Sequence, residues 1–426
     1  MNRRETRQDR ANLSMGKLIF YYAFILIVVG GFSEVSARLA YYYIFHESYD
    51  PRMYKTLRDG ETPQEKGRNL QGPSWLKEEI LHPYLGYTIK HKEDHSESFG
   101  FANDFDISQQ EDPQRLTVLL TGGSVAMGLS REAALERALN EKLRKRGDSR
   151  TVRVFNAALL GFKQPQQLLL VNYLLSAGAK FDAVINLDGF NEVVLPYTDN
   201  ARFGINPLYP RLWGARVARK EGTADKEVIA RIASMRDQRL GLLTRIDGTI
   251  LRYSAVAGVL SRLKVVNYDN KIIDLNKQVV QWNRIGFDFE LMGPRIKQKE
   301  QSEILALAAL TWKTSSMLLH NLLRSMDIDY FHFMQPNQYV VGSKKFTPEE
   351  KGYFLPMSDY GDSALKGYPL IIKLGQELSE QGVPFSDLTM LFTNISETVY
   401  MDACCHLNLF GNKLLAEAIA EKVVFH

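Results

Sequence analysis

The stretch Leu116–Gly128, which reads LTVLLTGGSVAMG, decides how the rest of the chain is interpreted. Its apolar start is short, partly β-branched and followed by turn residues, a pattern typical of a buried strand. The next segment, 133–145, is rich in Ala, Leu, Glu and Arg and favours a helix. This order places Ser124 at the carboxyl end of a strand, where open α/β sheets bind ligands. Ser124 is therefore a candidate nucleophile, although Gly-Gly-Ser alone is also a common βα turn.

The same alternation of strands and helices continues to the carboxyl end of the chain. Further strands are predicted at 152–155, 181–187, 330–334 and 386–388, and helices at 165–177, 369–381 and 407–424. Repeated βα units predict a parallel sheet with helices on both faces. The long interval 196–326 carries helical patterns instead, and we interpret it as a helical insertion of the kind that shapes a substrate pocket.

Composition narrows the class of protein. The chain has 426 residues, 45% hydrophobic and 24% charged, which is ordinary for a globular protein with one large or two smaller domains. The net charge of +4 is spread out without a basic stripe, so we expect no nucleic-acid partner. The two cysteines are adjacent and cannot build a disulfide framework. His91 and His95 have a spacing that suits a metal on a helix, but no helical pattern surrounds them, which favours a solvated charged loop.

The amino terminus predicts a membrane anchor. Residues 1–17 are basic, and residues 18–33 read LIFYYAFILIVVGGFS without a charge. Basic residues before an apolar span with tyrosines near both ends are typical of a transmembrane helix whose amino end is cytoplasmic. The predicted organisation is a basic tail at 1–17, an anchor helix at 18–45, a linker at 46–80 and a catalytic domain at 81–426.

A cleaved signal peptide is the main alternative for this segment, since Val35-Ser36-Ala37 has the small residues of a cleavage site. The apolar character resumes after Ala37, which favours the uncleaved anchor. A helix buried inside a soluble protein is a third interpretation, and the asymmetry of charge disfavours it. The anchor and the signal peptide both place residues 46–426 outside the cytoplasm.

Four motifs give the chain a resemblance to a known family. Gly123-Ser124, Gly161, Gly189-Phe190-Asn191 and the His406 of MDACCHLNLFGN follow one another in the family's order, each at the expected end of a βα unit. In these residues the chain resembles the SGNH hydrolases, also called GDSL-like, over roughly residues 80–426. The resemblance implies a flavodoxin-like α/β fold, a three-layer parallel sheet with a helical insertion, preceded here by the transmembrane helix.

The resemblance also implies a role for each matching residue. Ser124 would be the nucleophile, and His406 the general base that takes its proton. The backbone N–H groups of Ser124 and Gly161 and the side-chain amide of Asn191 would form the oxyanion hole. Such chemistry needs neither a metal nor an organic cofactor.

The acid of this catalytic group departs from the family pattern. In the family it lies three residues before the histidine, where this chain has Ala403, whereas Asp402 lies four residues before. Either a bulge brings the Asp402 carboxylate to the imidazole, or a backbone carbonyl orients the ring instead. The neighbouring Cys404 and Cys405 are conceivable nucleophiles, but we interpret them as residues that fill the loop.

The implied activity is acyl-ester chemistry at a bacterial envelope. We expect a serine esterase that removes acyl groups, above all O-acetyl groups, from an envelope or extracellular polysaccharide. One alternative is an O-acyltransferase that uses the same site, and another is a non-catalytic carbohydrate-binding or assembly protein. The expected location is the inner membrane, crossed once, with the catalytic domain in the periplasm; the expected partners are the ester or polysaccharide substrate and the membrane.

Overall fold

The structure is a computed structural model, which describes residues 15–45, 48–59, 79–89, 112–221, 225–278, 288–298, 300–351, 354 and 356–425. The chain divides into two compact units. One unit combines the amino-terminal residues up to Asp59 with Asp237–Tyr268, and the other combines Gly60–Arg236 with Asp269–His426. The histidine pair His91 and His95 and most of the predicted linker lie outside the described residues.

A five-stranded parallel sheet forms the centre of the second unit, as far as the described residues extend. Two short antiparallel strands, β1 (Glu79–His82) and β2 (Gly86–Ile89), precede it. The strands of the sheet are β3 (Arg115–Gly122), β4 (Thr151–Asn156), β5 (Ala183–Asp188), β6 (Asp329–Met334) and β7 (Phe385–Asp387). The predicted parallel α/β sheet is therefore confirmed.

The order of the strands determines where a ligand site can form. The order across the sheet is β4-β3-β5-β6-β7, so the chain leaves β3 in one direction for β4 and then crosses back to β5. Gly122 at the end of β3 is paired with Leu187 near the end of β5. In open α/β sheets, ligands bind at the carboxyl ends of the strands where the order reverses. Here that point lies between the loops that follow β3 and β5.

The helices vary from single turns to a helix of 31 residues. They are α1 (Met15–Phe45), α2 (Met53–Asp59), α3 (Ser124–Gly128), α4 (Ala134–Lys145), α5 (Gln166–Ser176), α6 (Phe190–Leu195), α7 (Trp213–Glu221), α8 (Lys226–Asp247), α9 (Ala255–Lys277), α10 (Phe289–Met292), α11 (Gln301–Arg324), α12 (Pro348–Lys351), α13 (Asp359–Glu380) and α14 (Leu409–Lys422). A π-helical turn at Pro196–Asn200 directly follows α6.

The apolar patterns of the sequence become the core of the sheet unit. All six residues of β5 are buried, as expected for a strand covered on both faces. Leu135, Leu139 and Leu143 lie four residues apart on α4 and are buried together. Helix α11 contributes Trp312, whose side chain is fully buried.

Two local predictions differ from the structure. Helix α13 begins ten residues before Pro369, because the hydroxyl of Ser358 accepts the Gly361 N–H and caps its amino end. Pro369 therefore lies inside the helix. Residues 53–59 of the predicted linker form α2, because Tyr54 and Leu57 bury their side chains within the first unit.

The first unit contains the predicted anchor. Helix α1 is long and apolar enough to cross a membrane, with a mean hydropathy of 2.0 in its most apolar window. Its amino-terminal two thirds expose large apolar side chains, among them Ile25, Leu26 and Ile27. Such a surface is stable when lipid covers it.

Candidate active site

Ser124 lies immediately after the glycine turn that ends β3. Gly122 has a φ of +143°, and a Cβ atom there would lie 2.0 Å from the Leu187 carbonyl oxygen. A Cβ atom on Gly123 would lie 2.2 Å from the side-chain nitrogen of Asn191. Position 122 therefore requires glycine, because its φ is left-handed and a side chain would clash with the backbone of β5. At position 123 a side chain would displace the amide of Asn191. The turn holds Ser124 against the segment after β5.

His406 meets Ser124 from the carboxyl end of the chain. Its Nε2 atom lies 2.7 Å from the Ser124 hydroxyl oxygen, and both side chains are buried. Its Nδ1 atom is hydrogen-bonded to a carboxylate oxygen of Asp402. A ring with its proton on Nδ1 satisfies both contacts, since Nδ1–H donates to Asp402 and Nε2 accepts from Ser124.

The carboxylate of Asp402 also shapes the loop that carries His406. Its other oxygen accepts the backbone N–H groups of Cys404, Cys405 and His406, at 2.9, 3.1 and 3.3 Å. The chain thus turns tightly around one carboxylate, which explains how an acid four residues before the histidine reaches the ring. Of the two possibilities left open by the sequence, the structure has the carboxylate and not a backbone carbonyl on Nδ1.

The pair shifts the titration of both partners. Burial by itself lowers the pKa of His406, but the negative charge of Asp402, its hydrogen bond to the ring and the neighbouring Cys405 together outweigh burial and raise this pKa to about 9. Burial opposes ionisation of Asp402, yet the charge of His406 and the backbone N–H groups lower its pKa below the usual value. The carboxylate is therefore ionised at neutral pH and holds the imidazole in place.

The loop after β6 also holds the backbone of this turn. The carbonyl groups of Asp402, Ala403 and Cys404 accept hydrogen bonds from side chains of that loop. The donors are Gln338 at 2.8 Å, the Tyr339 hydroxyl at 2.6 Å and Asn337 at 3.2 Å. No sequence pattern assigns these three residues a role.

Gly161 and Asn191 lie beside Ser124. Gly161 has a φ of +73°, and a Cβ atom there would lie 2.7 Å from Arg211 Cδ. Asn191 donates one side-chain N–H to the Phe162 carbonyl at 2.8 Å, a bond that orients its amide. One cleft contains these residues together with Ser124 and His406; its lining is Ser124, Leu160, Gly161, Phe190, Asn191, Leu195, Arg211, Tyr360, Cys404 and His406.

Comparison with known proteins adds a distant likeness. No protein-family model matches the chain, and no curated protein sequence matches it significantly. Among solved structures, a crystal structure of an acetyl xylan esterase is similar over 72% of this chain and 100% of its own chain. The TM-score is 0.33 and the sequence identity 14%. The assignment of the site therefore rests on the geometry described above.

Arg211 is a cleft residue that sequence reasoning missed. Its Nε donates to the Asp199 carboxylate at 2.7 Å, and a terminal nitrogen lies 3.2 Å from the Tyr360 hydroxyl. Tyr360 in turn donates to Asp199 at 2.9 Å, and Asp199 is fully buried. Asp199 lies in the π-helical turn, Arg211 lies just before α7, and Tyr360 lies in the first turn of α13. No local sequence pattern predicts this group, because its three residues come from separate segments and none of these segments contains a recognisable motif.

Glu192, the residue after Asn191, connects two parts of the site. It is buried at the start of α6 and accepts the backbone N–H groups of Gly189 at 2.8 Å and Gln164 at 3.2 Å. Burial, reinforced by the charge of Asp188, raises the pKa of Glu192 to about 8. Glu192 thereby ties the loop of Gly161 to the helix that carries Asn191.

A metal does not suit the cysteine pair. Ligand atoms of Cys404, Cys405 and His406 lie within 4.8 Å of one another. Both ring nitrogens of His406 are already bonded to Ser124 and Asp402, and burial raises the pKa of the Cys404 thiol well above its usual value. A metal ion needs a thiolate and a free imidazole lone pair, which this arrangement does not offer.

A second Ser–His–Asp chain lies within the core. The ring of His332 is 2.7 Å from the Ser316 hydroxyl and 2.9 Å from Asp188, which also accepts Trp312 Nε1–H at 2.7 Å. All of these side chains are fully or almost fully buried. Because substrate cannot reach them, they satisfy polar groups of the core and do no chemistry.

Proposed function

We propose that this chain is a serine esterase of the SGNH type, which hydrolyses O-acetyl esters on an envelope or extracellular polysaccharide. The observation that carries this proposal is the hydrogen-bond chain Ser124–His406–Asp402, with Gly161 and Asn191 lining the same cleft. The strand order is that of the flavodoxin-like sheet. It supports the SGNH type because the site occupies the corresponding switch point.

The geometry accounts for each proton in the acylation step. Ser124 Oγ attacks the ester carbonyl carbon while its proton passes to Nε2 of His406, 2.7 Å away. The resulting imidazolium is stabilised by the Asp402 carboxylate. His406 then gives the proton to the alcohol oxygen as the ester C–O bond breaks, leaving an acyl-enzyme. Water repeats the sequence and releases the carboxylic acid.

The oxyanion would be held by donors that belong to residues lining the cleft. The backbone N–H groups of Ser124 and Gly161 lie at turns, and the Asn191 amide carries two N–H donors. The bond to Phe162 uses one of these donors and orients the other. Fixed donors of this kind contribute about 10²–10³ in rate each.

The lining of the cleft supports a short acyl group on a polar alcohol. Leu160, Phe190 and Leu195 are apolar members of the lining that suit the methyl group of an acetate. Arg211 and Tyr360 are polar members of the lining, which suit the oxygens of a sugar.

We place the catalytic unit outside the cytoplasm, anchored to the inner membrane by α1.

The test is hydrolysis of p-nitrophenyl acetate by the full-length protein in detergent micelles. Ser124→Ala and His406→Ala should each reduce the rate to near the uncatalysed background, because nucleophile and base act as a unit. Ser325→Ala, at the exposed end of α11, is the control and should retain full activity. Full activity in Ser124→Ala, with the circular dichroism spectrum unchanged, would overturn the proposal.

Two further measurements separate the alternatives. A serine-directed phosphonate should label the wild type and leave Ser124→Ala unlabelled, whereas a purely binding protein would react in neither form. Acetate release from an O-acetylated polysaccharide should proceed at the same rate with or without an added glycan acceptor. A strict requirement for the acceptor would instead identify an O-acyltransferase.

A further inference from the structure

The turn between α8 and α9 presents an apolar tip to its surroundings. Ile250 is 83% exposed, Tyr253 60% and Leu251 53%. These residues form a 3₁₀ turn, Ile250–Tyr253, whose first residue follows Thr249, the cap of the turn. A turn with three large exposed apolar side chains is unusual on a surface that faces only water.

The tip is attached to the membrane-anchor candidate α1. The Glu34 carboxylate accepts a hydrogen bond from the Ser254 hydroxyl and one from the Ala255 N–H at 2.6 Å. Ala255 is the first residue of α9, so Glu34 caps the amino end of that helix. Tyr49 donates a further bond to the Arg252 carbonyl at 2.5 Å.

The two helices then run side by side in the same direction. Tyr41 shares an apolar cluster with Ala255, and Phe45 and Val259 pack against that cluster. One turn further, the Arg262 guanidinium lies 5.9 Å from the centre of the Phe45 ring. Contacts therefore move from Ala255 toward Arg262 as α1 proceeds, which puts the tip on the side of the uncharged span of α1.

Helix geometry gives the level of the tip relative to a bilayer. The uncharged stretch 18–33 ends directly before Glu34. At 1.5 Å per residue it spans about 24 Å, whereas the hydrocarbon core of a bilayer is about 30 Å thick. A bilayer centred on this stretch therefore extends to the level of Glu34 and of the tip beside it.

We propose that residues 250–253 insert into the lipid bilayer beside α1 and form a second membrane contact of the first unit. Ile250 and Leu251 enter the boundary of the acyl chains, and Tyr253 lies at the headgroups, where aromatic side chains are enriched. Arg252 is paired with Asp247 at 3.2 Å, so its charge is balanced at the interface. The inference rests on the anchored location of α1 and not on the ester chemistry.

Spin labels on the full-length protein in phosphatidylcholine vesicles test this contact. Leu26→Cys places a label inside the uncharged span, and Ile250→Cys places one on the tip. Asp237→Cys is the matched control, because it lies far from the tip. Its neighbour Gln238 accepts a hydrogen bond from the Tyr268 hydroxyl at 3.4 Å. Tyr268 lies thirteen residues after Ala255, which is about 20 Å along α9. Cys404 and Cys405 are buried, and the protein without an introduced cysteine gives their background.

The readout is the collision rate of each label with molecular oxygen, which dissolves in lipid, and with a nickel chelate, which stays in water. The label at position 250 should collide severalfold less often with the nickel chelate, and more often with oxygen, than the label at position 237. The label at position 26 should have a lower nickel collision rate than either. Equal nickel rates at 250 and 237, with position 26 protected, would overturn the insertion and leave the anchor intact. Nickel access at position 26 would overturn both.

Discussion

At the residue scale, Asp402 performs two tasks with its two oxygens. One oxygen gathers three successive backbone N–H groups and thereby builds the turn, and the other faces the imidazole. Both tasks require an ionised carboxylate, and the lowered pKa of Asp402 keeps it ionised. An amide in the same place supports at most part of this arrangement, because its NH₂ group cannot accept.

Asp402→Asn should therefore change the pH dependence of ester hydrolysis. Only neutral His406 can accept the serine proton, and the Asp402 charge raises the pKa of His406 to about 9. In the wild type, activity should fall as pH drops through this value. Without the charge the pKa of His406 falls, so the acidic limb moves to lower pH while the maximal rate drops by as much as about 10⁴-fold.

The measurement is kcat/KM for p-nitrophenyl acetate across the pH range in which both proteins stay folded. Asp327→Asn, in an exposed turn before β6, should leave the profile unchanged. An acidic limb at the same pH in Asp402→Asn and the wild type would show that the carboxylate does not control His406.

At the scale of elements, a buried ion pair holds the segment that leads into the loop of Asp402 and His406. Lys344 donates to the carbonyls of Ile395 and Glu397, each at 2.8 Å. Glu350 accepts the Val399 N–H at 2.8 Å and lies 3.4 Å from the Lys344 ammonium. The pair thus holds the backbone of the irregular segment 395–399 in place.

Glu350→Ala should lower the free energy of unfolding by about 3–5 kcal/mol, because it leaves the Lys344 charge buried without its partner. Urea unfolding followed by circular dichroism measures this loss. Glu380→Ala, an exposed carboxylate at the end of α13, should change stability by less than about 0.5 kcal/mol. A midpoint in Glu350→Ala equal to that of the control would show that the pair contributes nothing to the fold.

At the scale of the whole molecule, α1 should decide where the protein resides. An arginine at the centre of a membrane span costs about 2.5–3.5 kcal/mol. Combining Leu26→Arg with Val29→Arg should therefore remove the protein from the membrane fraction that resists an alkaline carbonate wash. Leu240→Arg, an exposed position on α8, should leave the protein in the pellet. Equal retention of both variants would exclude α1 as the anchor.

The sequence alone determined the local elements of the sheet unit. Short apolar runs followed by turn residues predicted β3, β4, β5 and β6, because a strand and its turn depend mainly on neighbouring residues. The same reasoning placed Ser124 after a strand and predicted the long apolar helix α1. These features depend on local composition and not on contacts with distant parts of the chain.

Only the tertiary structure decided how the candidate site is assembled. The bonds of the Arg211–Asp199–Tyr360 group and the bond from Gln338 to the Asp402 carbonyl join residues 12 to 161 positions apart in the chain. The Ser124–His406 contact spans 282 residues. Periodicity reports which side of an element is buried, but not which distant side chain lies opposite. Hydrogen bonds over such separations form only when the sheet brings its strand ends to one edge, and that edge exists only in the folded chain.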